Sequence, residues 1–134
     1  MSILSIILIA AFLMHGLAHL SGFFAAWTRR DAGFSQNPWL FSKGLMLKSN
    51  LGRVFGLLWL VAAIVLVWSG LSLLFRTGMW PLLPITGALL SLLVIVPWWN
   101  TIPPGAKVGA IFDLLILLAL LPPWREQILQ TLMT

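Results

Sequence analysis

The sequence predicts an all-α polytopic membrane protein, an antiparallel bundle of four transmembrane helices, and three observations carry that prediction. Of the 134 residues, 60% are hydrophobic and 8% charged, with a mean hydropathy of +1.03. A soluble domain of this size cannot hide so much apolar surface, so the surrounding solvent is expected to be lipid. The apolar residues fall into four runs separated by polar or proline-bearing breaks. At roughly 20 residues per crossing, four spans consume nearly the whole chain. Finally, Lys and Arg gather in the breaks on one side, as membrane topology requires.

These bounds exclude several classes of function. One membrane domain, residues 1–134, leaves no room for a separate soluble catalytic or nucleic-acid-binding module. The net charge of +5 and pI near 11.5 reflect loop residues beside spans, so no nucleic-acid partner is expected. Cysteine is absent, which removes disulfides, thiolate catalysis and thiolate metal sites. The uncharged run from Met1 to Thr28 lacks a basic n-region and exceeds a signal h-region, so it reads as a retained span.

Span one covers residues 3–27. Residues four apart share a helical face, which gathers Ala11, His15, Ala18, His19, Gly22 and Ala26 on one side. Ile9, Leu13, Leu17, Leu20 and Phe24 form a bulky opposite side, expected to face lipid while the small residues pack inward. The connection, residues 28–52, mixes Pro38, Trp39, Leu40, Phe41, Leu45 and Met46 with Lys43 and Lys48, a composition suited to the headgroup layer.

Span two covers residues 53–75. Gly52, Gly56, Trp59, Ala63 and Gly70 lie close to one stripe, with Gly52 and Gly56 as a GxxxG packing pair and Trp59 as a pocket wall or packing residue. Span three covers residues 81–99, with Pro81 and Pro84 in its first turn, Pro97 loosening its end, and Gly87, Ala88 and Ser91 as its small face. Span four covers residues 106–121 and is stopped by Pro122 and Pro123; its small face is Ala106, Gly109, Ala110 and Asp113. The tail from Trp124 to Thr134, with Ile128, Leu129, Leu132 and Met133, reads as a short surface helix. Trp27, Trp39, Trp80, Trp98, Trp99 and Trp124 fall near predicted interfaces as an aromatic belt.

Arg29, Arg30, Lys43, Lys48, Arg53 and Lys107 share one side, against Arg76 and Arg125 on the other. The positive-inside rule then places the long connection in the cytoplasm and both termini on the non-cytoplasmic side.

Within this frame His15, His19 and Asp113 are the ionisable residues well inside spans, and such residues mark candidate sites. His19 lies about 12 Å from the end of span one and Asp113 about 9 Å from Lys107 by helical rise. The two are therefore expected to meet, with His15 one turn deeper. The alternative reading of each histidine is an interhelical hydrogen bond that fixes packing. Proton relay or coupled transport is one chemical use of the cluster. Headgroup chemistry, with Lys107 or Arg53 holding phosphate, is another. A metal site built from His15, His19 and Asp113 is the remaining one, though histidines at this spacing recur by chance, and neither metal nor cofactor is expected.

HGLAHLSGF near the start, GLLWLVAA in span two and the Lys107, Gly109, Asp113 spacing resemble a family of small bacterial four-helix membrane proteins with an H-G-x-x-H-x-x-G-F segment. The likeness covers most of the chain through His15, Gly16, His19, Gly22, Phe23, Trp59, Lys107, Gly109 and Asp113. It implies the four-span fold and a bacterial inner (cytoplasmic) membrane, and assigns no reaction. The family commonly carries an amide where this chain has Asp113, so a His–Asp relay is not part of what the resemblance implies.

Three functions follow in order. An accessory or structural subunit, packing on other membrane protein subunits or on its own copies through small-residue faces, comes first. Lipid or small-molecule binding or proton-linked transport by His15, His19 and Asp113 comes second, and a lipid-headgroup-modifying enzyme third.

Overall fold

A computed structural model describes residues 1–41, 45–121 and 123–133. Lys43 and Pro122 lie outside the described residues, as does the side chain of Met133. Helix is the regular structure of the described chain, which contains no strand: α1 (Ile3–Trp27), α2 (Asn50–Leu74), α3 (Leu82–Ile95) followed by a 3-10 turn (Val96–Trp98), α4 (Pro104–Leu120) and α5 (Arg125–Met133).

Most helix ends fall where the sequence supplies a cap or a proline. Ser2 caps α1, its hydroxyl accepting from Ser5 N at 3.2 Å, and at the far end Thr28 Oγ1 donates to Phe24 O at 2.7 Å. Helix α2 starts at Asn50, three residues before the expected 53, because the Ser49 hydroxyl accepts from Gly52 N at 3.1 Å. Pro84 sits in the first turn of α3, where its missing N–H costs nothing. Pro97 tightens the far end into the 3-10 turn, so α3 stops at Ile95 rather than running to 99. Pro103 and Pro104 open α4 two residues before the expected 106.

Only α1 and α2, 25 residues each, are individually long and apolar enough to cross a membrane among the described residues. At 14 residues, α3 is about 21 Å long, short of a hydrocarbon core of roughly 30 Å. The 17 residues of α4 reach about 25 Å.

Helix α1 lies along α2, α2 along α3, and α3 along α4. The inward stripe of α1 is Ser5, Ile9, Phe12, Gly16, His19, Gly22 and Ala26. Relative to expectation it is rotated: Ile9 is buried, whereas Ala18 is exposed. Leu17 and Phe24 remain outside, as a lipid-facing side requires. The expected stripe of α2 is buried throughout, from Gly52 to Gly70, and so are Gly87, Ala88 and Ser91 of α3.

Glycine sets the closeness of α1 and α2. A Cβ at Gly16 would stand 2.9 Å from both Ala63 O and Val67 N, and one at Gly22 would enter the Trp59 indole. Gly56 faces Ala26 and Trp27 of α1, whereas Gly52 faces Met46 and Leu47 of the connection. The GxxxG pair therefore serves two internal contacts.

The connection between α1 and α2 tucks into one end of the molecule. Phe34, Leu45 and Leu47 are buried with Trp59, Ile95 and Trp98, while Trp39 and Phe41 stay exposed. Trp39 completes the end of α3: its backbone N–H donates to Pro97 O at 3.2 Å and its indole N–H to Val96 O at 2.5 Å. Val96 O also accepts from Trp99 N within the 3-10 turn at 3.2 Å, so Trp39 adds a second donor there and caps Pro97 O from another segment. Trp27, Trp39, Trp99 and Trp124 are exposed as belt residues should be, but Trp80 and Trp98 are core residues at 1% and 0% exposure. Trp80 packs edge-on against Phe12, and Trp98 against Phe55. At the other end α5 folds back under α1, with Ser5 Oγ donating to Leu132 O at 2.9 Å.

Candidate functional site

Three helices bring four polar side chains together in an otherwise apolar interior. His15 and His19 come from α1, Ser91 from α3 and Asp113 from α4; His19, Ser91 and Asp113 are at most 2% exposed. Burying such groups is costly unless each finds a partner, and here each does. His15 Nε2 lies 3.0 Å from Asp113 Oδ1. Ser91 Oγ and Asp113 Oδ2 share a short hydrogen bond, and Ser91 Oγ stands 2.8 Å from His19 Nε2. His19 Nδ1 donates to the backbone oxygen of His15 at 2.9 Å.

His15, not His19, therefore meets Asp113 directly. Depth alone favours His19, but direction around the helix decides the pairing. Four residues turn an α-helix by about 400°, so His19 points some 40° away from His15. That rotation aims His15 at α4, where its ring lies 5.6 Å from Phe112. Gly109 makes the room: a Cβ there would collide with the imidazole. His19 is aimed at α3 and α2 instead, with its ring 5.1 Å from Trp59. The imidazoles meet edge to face at 4.6 Å.

Ser91 joins the cluster although the sequence marks it only as one hydroxyl on a small face. Its signal is that position: Gly87 and Ala88 keep α3 close to α2, and Ser91 lies one turn further along the same stripe. Lys107 is not part of the site; its ammonium stands 5.7 Å over the Trp99 ring. Arg53 is likewise elsewhere, 5.8 Å over Trp27. Among the described residues no three His, Asp or Glu side chains form a metal-binding group. His15 Nε2 and both His19 nitrogens instead carry the hydrogen bonds already given.

Proton accounting limits what the cluster can hold. Ser91 has one hydroxyl proton and two close neighbours able to accept it. Because a carbonyl oxygen only accepts, His19 Nδ1 carries a proton. Two arrangements then satisfy every bond. In one, doubly protonated His19 donates to Ser91, and Ser91 donates to the Asp113 carboxylate. In the other, a protonated Asp113 donates to Ser91, and Ser91 donates to neutral His19. The total number of protons is the same, and moving one proton along each of two hydrogen bonds converts the first into the second.

A cavity of about 280 Å³ opens beside this network, lined by His15, His19, Trp59, Ile95 and Ala106 among others. It shares Ala18 and Ser21 with a groove of about 680 Å³ on the outer side of α1, where Leu17, Leu20, Phe24 and Arg30 are exposed along its course or line it. The cavity and the groove thus border each other at Ala18 and Ser21 of α1.

Fold and site together define a helical protein with two helices able to cross a membrane and a buried His–Asp–Ser–His network beside a cavity. No family model matches the chain, and no curated protein or solved structure does so either.

Proposed function

We propose that this chain binds a lipid-soluble small molecule or lipid at the cavity between α1 and α4 and exchanges a proton with its polar group through the network. The observation that carries this reading is the meeting of a mostly apolar cavity with two imidazoles from a hydrogen-bonded, proton-bearing cluster. Intramembrane ionisable groups mark proton and substrate paths. His15 is the exchanging residue: its Nε2 is occupied by Asp113, and its Nδ1 has no hydrogen-bond partner among the described residues. When His15 gains or loses a proton, Asp113 feels it at Oδ1, and the arrangement of protons through Ser91 to His19 responds.

The setting belongs to the same proposal: four crossings in a bacterial inner membrane, both termini outside, with α3 and α4 as short crossings of a locally thinned bilayer. Kinship with the H-G-x-x-H-x-x-G-F proteins fits that setting. An accessory subunit remains the second reading, favoured by the large exposed apolar surface. Its original support was small-residue faces open to partners, but those at Gly16, Gly22, Gly56 and Gly70 are occupied within the chain. Headgroup-modifying chemistry has less support, since Lys107 and Arg53 stand on tryptophans away from the cluster.

Mass spectrometry of protein gently extracted from its own membranes tests the reading. A retained small molecule that Asp113→Asn and Ser91→Ala lose while keeping their helicity supports it. Release as part of a larger assembly, unaffected by those variants and without a retained molecule, supports the subunit reading instead.

A further inference from the structure

We infer that a second site, the basic cleft between the end of α1 and the start of α2, binds the phosphate headgroup of an anionic lipid. The cleft measures about 500 Å³ and is lined by Ala26, Trp27, Thr28, Arg29, Lys48 and Arg53. Three cations thus converge on one concavity. The whole chain has three acidic residues: Asp113 lies in the buried network, Glu126 is on α5, and Asp31 remains. Asp31 Oδ1 accepts from Lys48 Nζ at 2.6 Å and from Gln36 at 3.1 Å. Among the described residues neither Arg29 nor Arg53 forms an ion pair.

The cleft is held in shape before any ligand arrives. Trp27 is pinned against α2 where Gly56 has no Cβ, and its indole N–H donates to Arg53 O at 3.0 Å. The same ring lies under the Arg53 guanidinium, 5.8 Å from its centre. Stacking of this kind fixes the plane of a guanidinium while leaving its N–H fork free, which suits a phosphate. Lys48 Nζ also reaches Arg29 O at 3.5 Å, tying the connection to the end of α1.

A lipid is favoured over a soluble phosphate by what borders the cleft. Leu51 and Val54 flank Arg53 in sequence and are about half exposed, and Phe24 is exposed one turn before Thr28. These apolar surfaces begin where the cations end, so a headgroup in the cleft has its acyl chains laid against the helices. Basic pockets between membrane helices bind anionic headgroups in this manner.

The experiment is native mass spectrometry of the protein released from bilayers of equal phosphatidylglycerol and phosphatidylcholine. The wild type is expected to retain phosphatidylglycerol preferentially. Each cleft cation removed should lower that preference about fivefold, so Arg53→Gln loses about fivefold and Arg29→Gln/Arg53→Gln about 25-fold. Arg29→Lys/Arg53→Lys keeps the charge and should keep most of the preference. Arg76→Gln removes the same charge away from the cleft and should change little. An equal loss in Arg76→Gln, or no preference in the wild type, overturns the site. Displacement of the lipid by millimolar inorganic phosphate overturns the choice of a lipid. If the double glutamine variant fails to fold, the single Arg53→Gln decides.

Discussion

Helix α1 meets two neighbours in opposite ways. Against α2 it is a close seam, in which Gly16 and Gly70 let backbone approach backbone while Gly22 makes room for Trp59 and Gly56 for Ala26 and Trp27. Against α4 contact passes through side chains, above all His15 to Asp113 and Phe12 to Phe112, and a cavity opens beside the polar pair. Backbones pressed together leave no space for a ligand along the seam, whose basic cleft lies at its end, while side chains reaching across a gap leave both space and unspent hydrogen-bonding capacity. One seam holds the fold, and the other is free to carry chemistry.

Enlarging the tight seam should have the largest effect. Gly22→Leu drives a side chain into the Trp59 indole, and overpacking costs about 1–3 kcal/mol or more. Unfolding in detergent, followed by circular dichroism, should show a large loss of stability; near-wild-type stability would deny the glycines their role. The polar seam should respond next. Asp113→Asn leaves the shape intact but replaces an acceptor carboxylate, and Ser91→Ala removes the middle of the chain. A double-mutant cycle between them should give a coupling of about 0.6–1.7 kcal/mol, the range for hydrogen bonds inside membranes. Strict additivity would mean that Ser91 and Asp113 do not act together.

Gly109→Ala separates the seams more finely. The added methyl meets the His15 ring, which has the cavity to move into, so the stability cost should be about 1 kcal/mol, at the low end for overpacking. Binding of any retained molecule should nevertheless fall as far as in Asp113→Asn. The smallest effect is expected from Trp39→Phe, which keeps the backbone bond to Pro97 and loses the indole bond to Val96. One hydrogen bond is worth about 0.5–1.5 kcal/mol. A loss no larger than that of an exposed Phe41→Leu control would remove the cap from the account.

How much of this was legible in the sequence depends on the kind of signal. The ends of α1 were readable because an apolar run of that length stops at interfacial residues, and the buried stripe of α2 because glycine recurs at helical spacing. The composition of the cluster was partly readable, since an ionisable residue in an apolar run has few reasons to be there. Its pairing was not: a rotation of some 40° between His15 and His19 matters only once three neighbouring helices have positions. Ser91 was hidden because serine is common on small faces. Trp80 and Trp98 looked like interfacial anchors because their position along the chain does not reveal whether a neighbour covers them.

The cap that Trp39 provides for α3 bears on the order in which the protein is made. Ribosomes deliver residue 39 well before residue 96, so the Trp39 donors to Val96 O and Pro97 O exist before those carbonyls do. The α1–α2 hairpin, which holds the two helices individually long and apolar enough to cross a membrane, can enter the bilayer first and hold its connection ready at one end. A short, proline-broken α3 then arrives at a surface already prepared to receive its frayed end. The early half of the protein in this way acts as an assembly template for a later half that is poorly equipped to insert by itself.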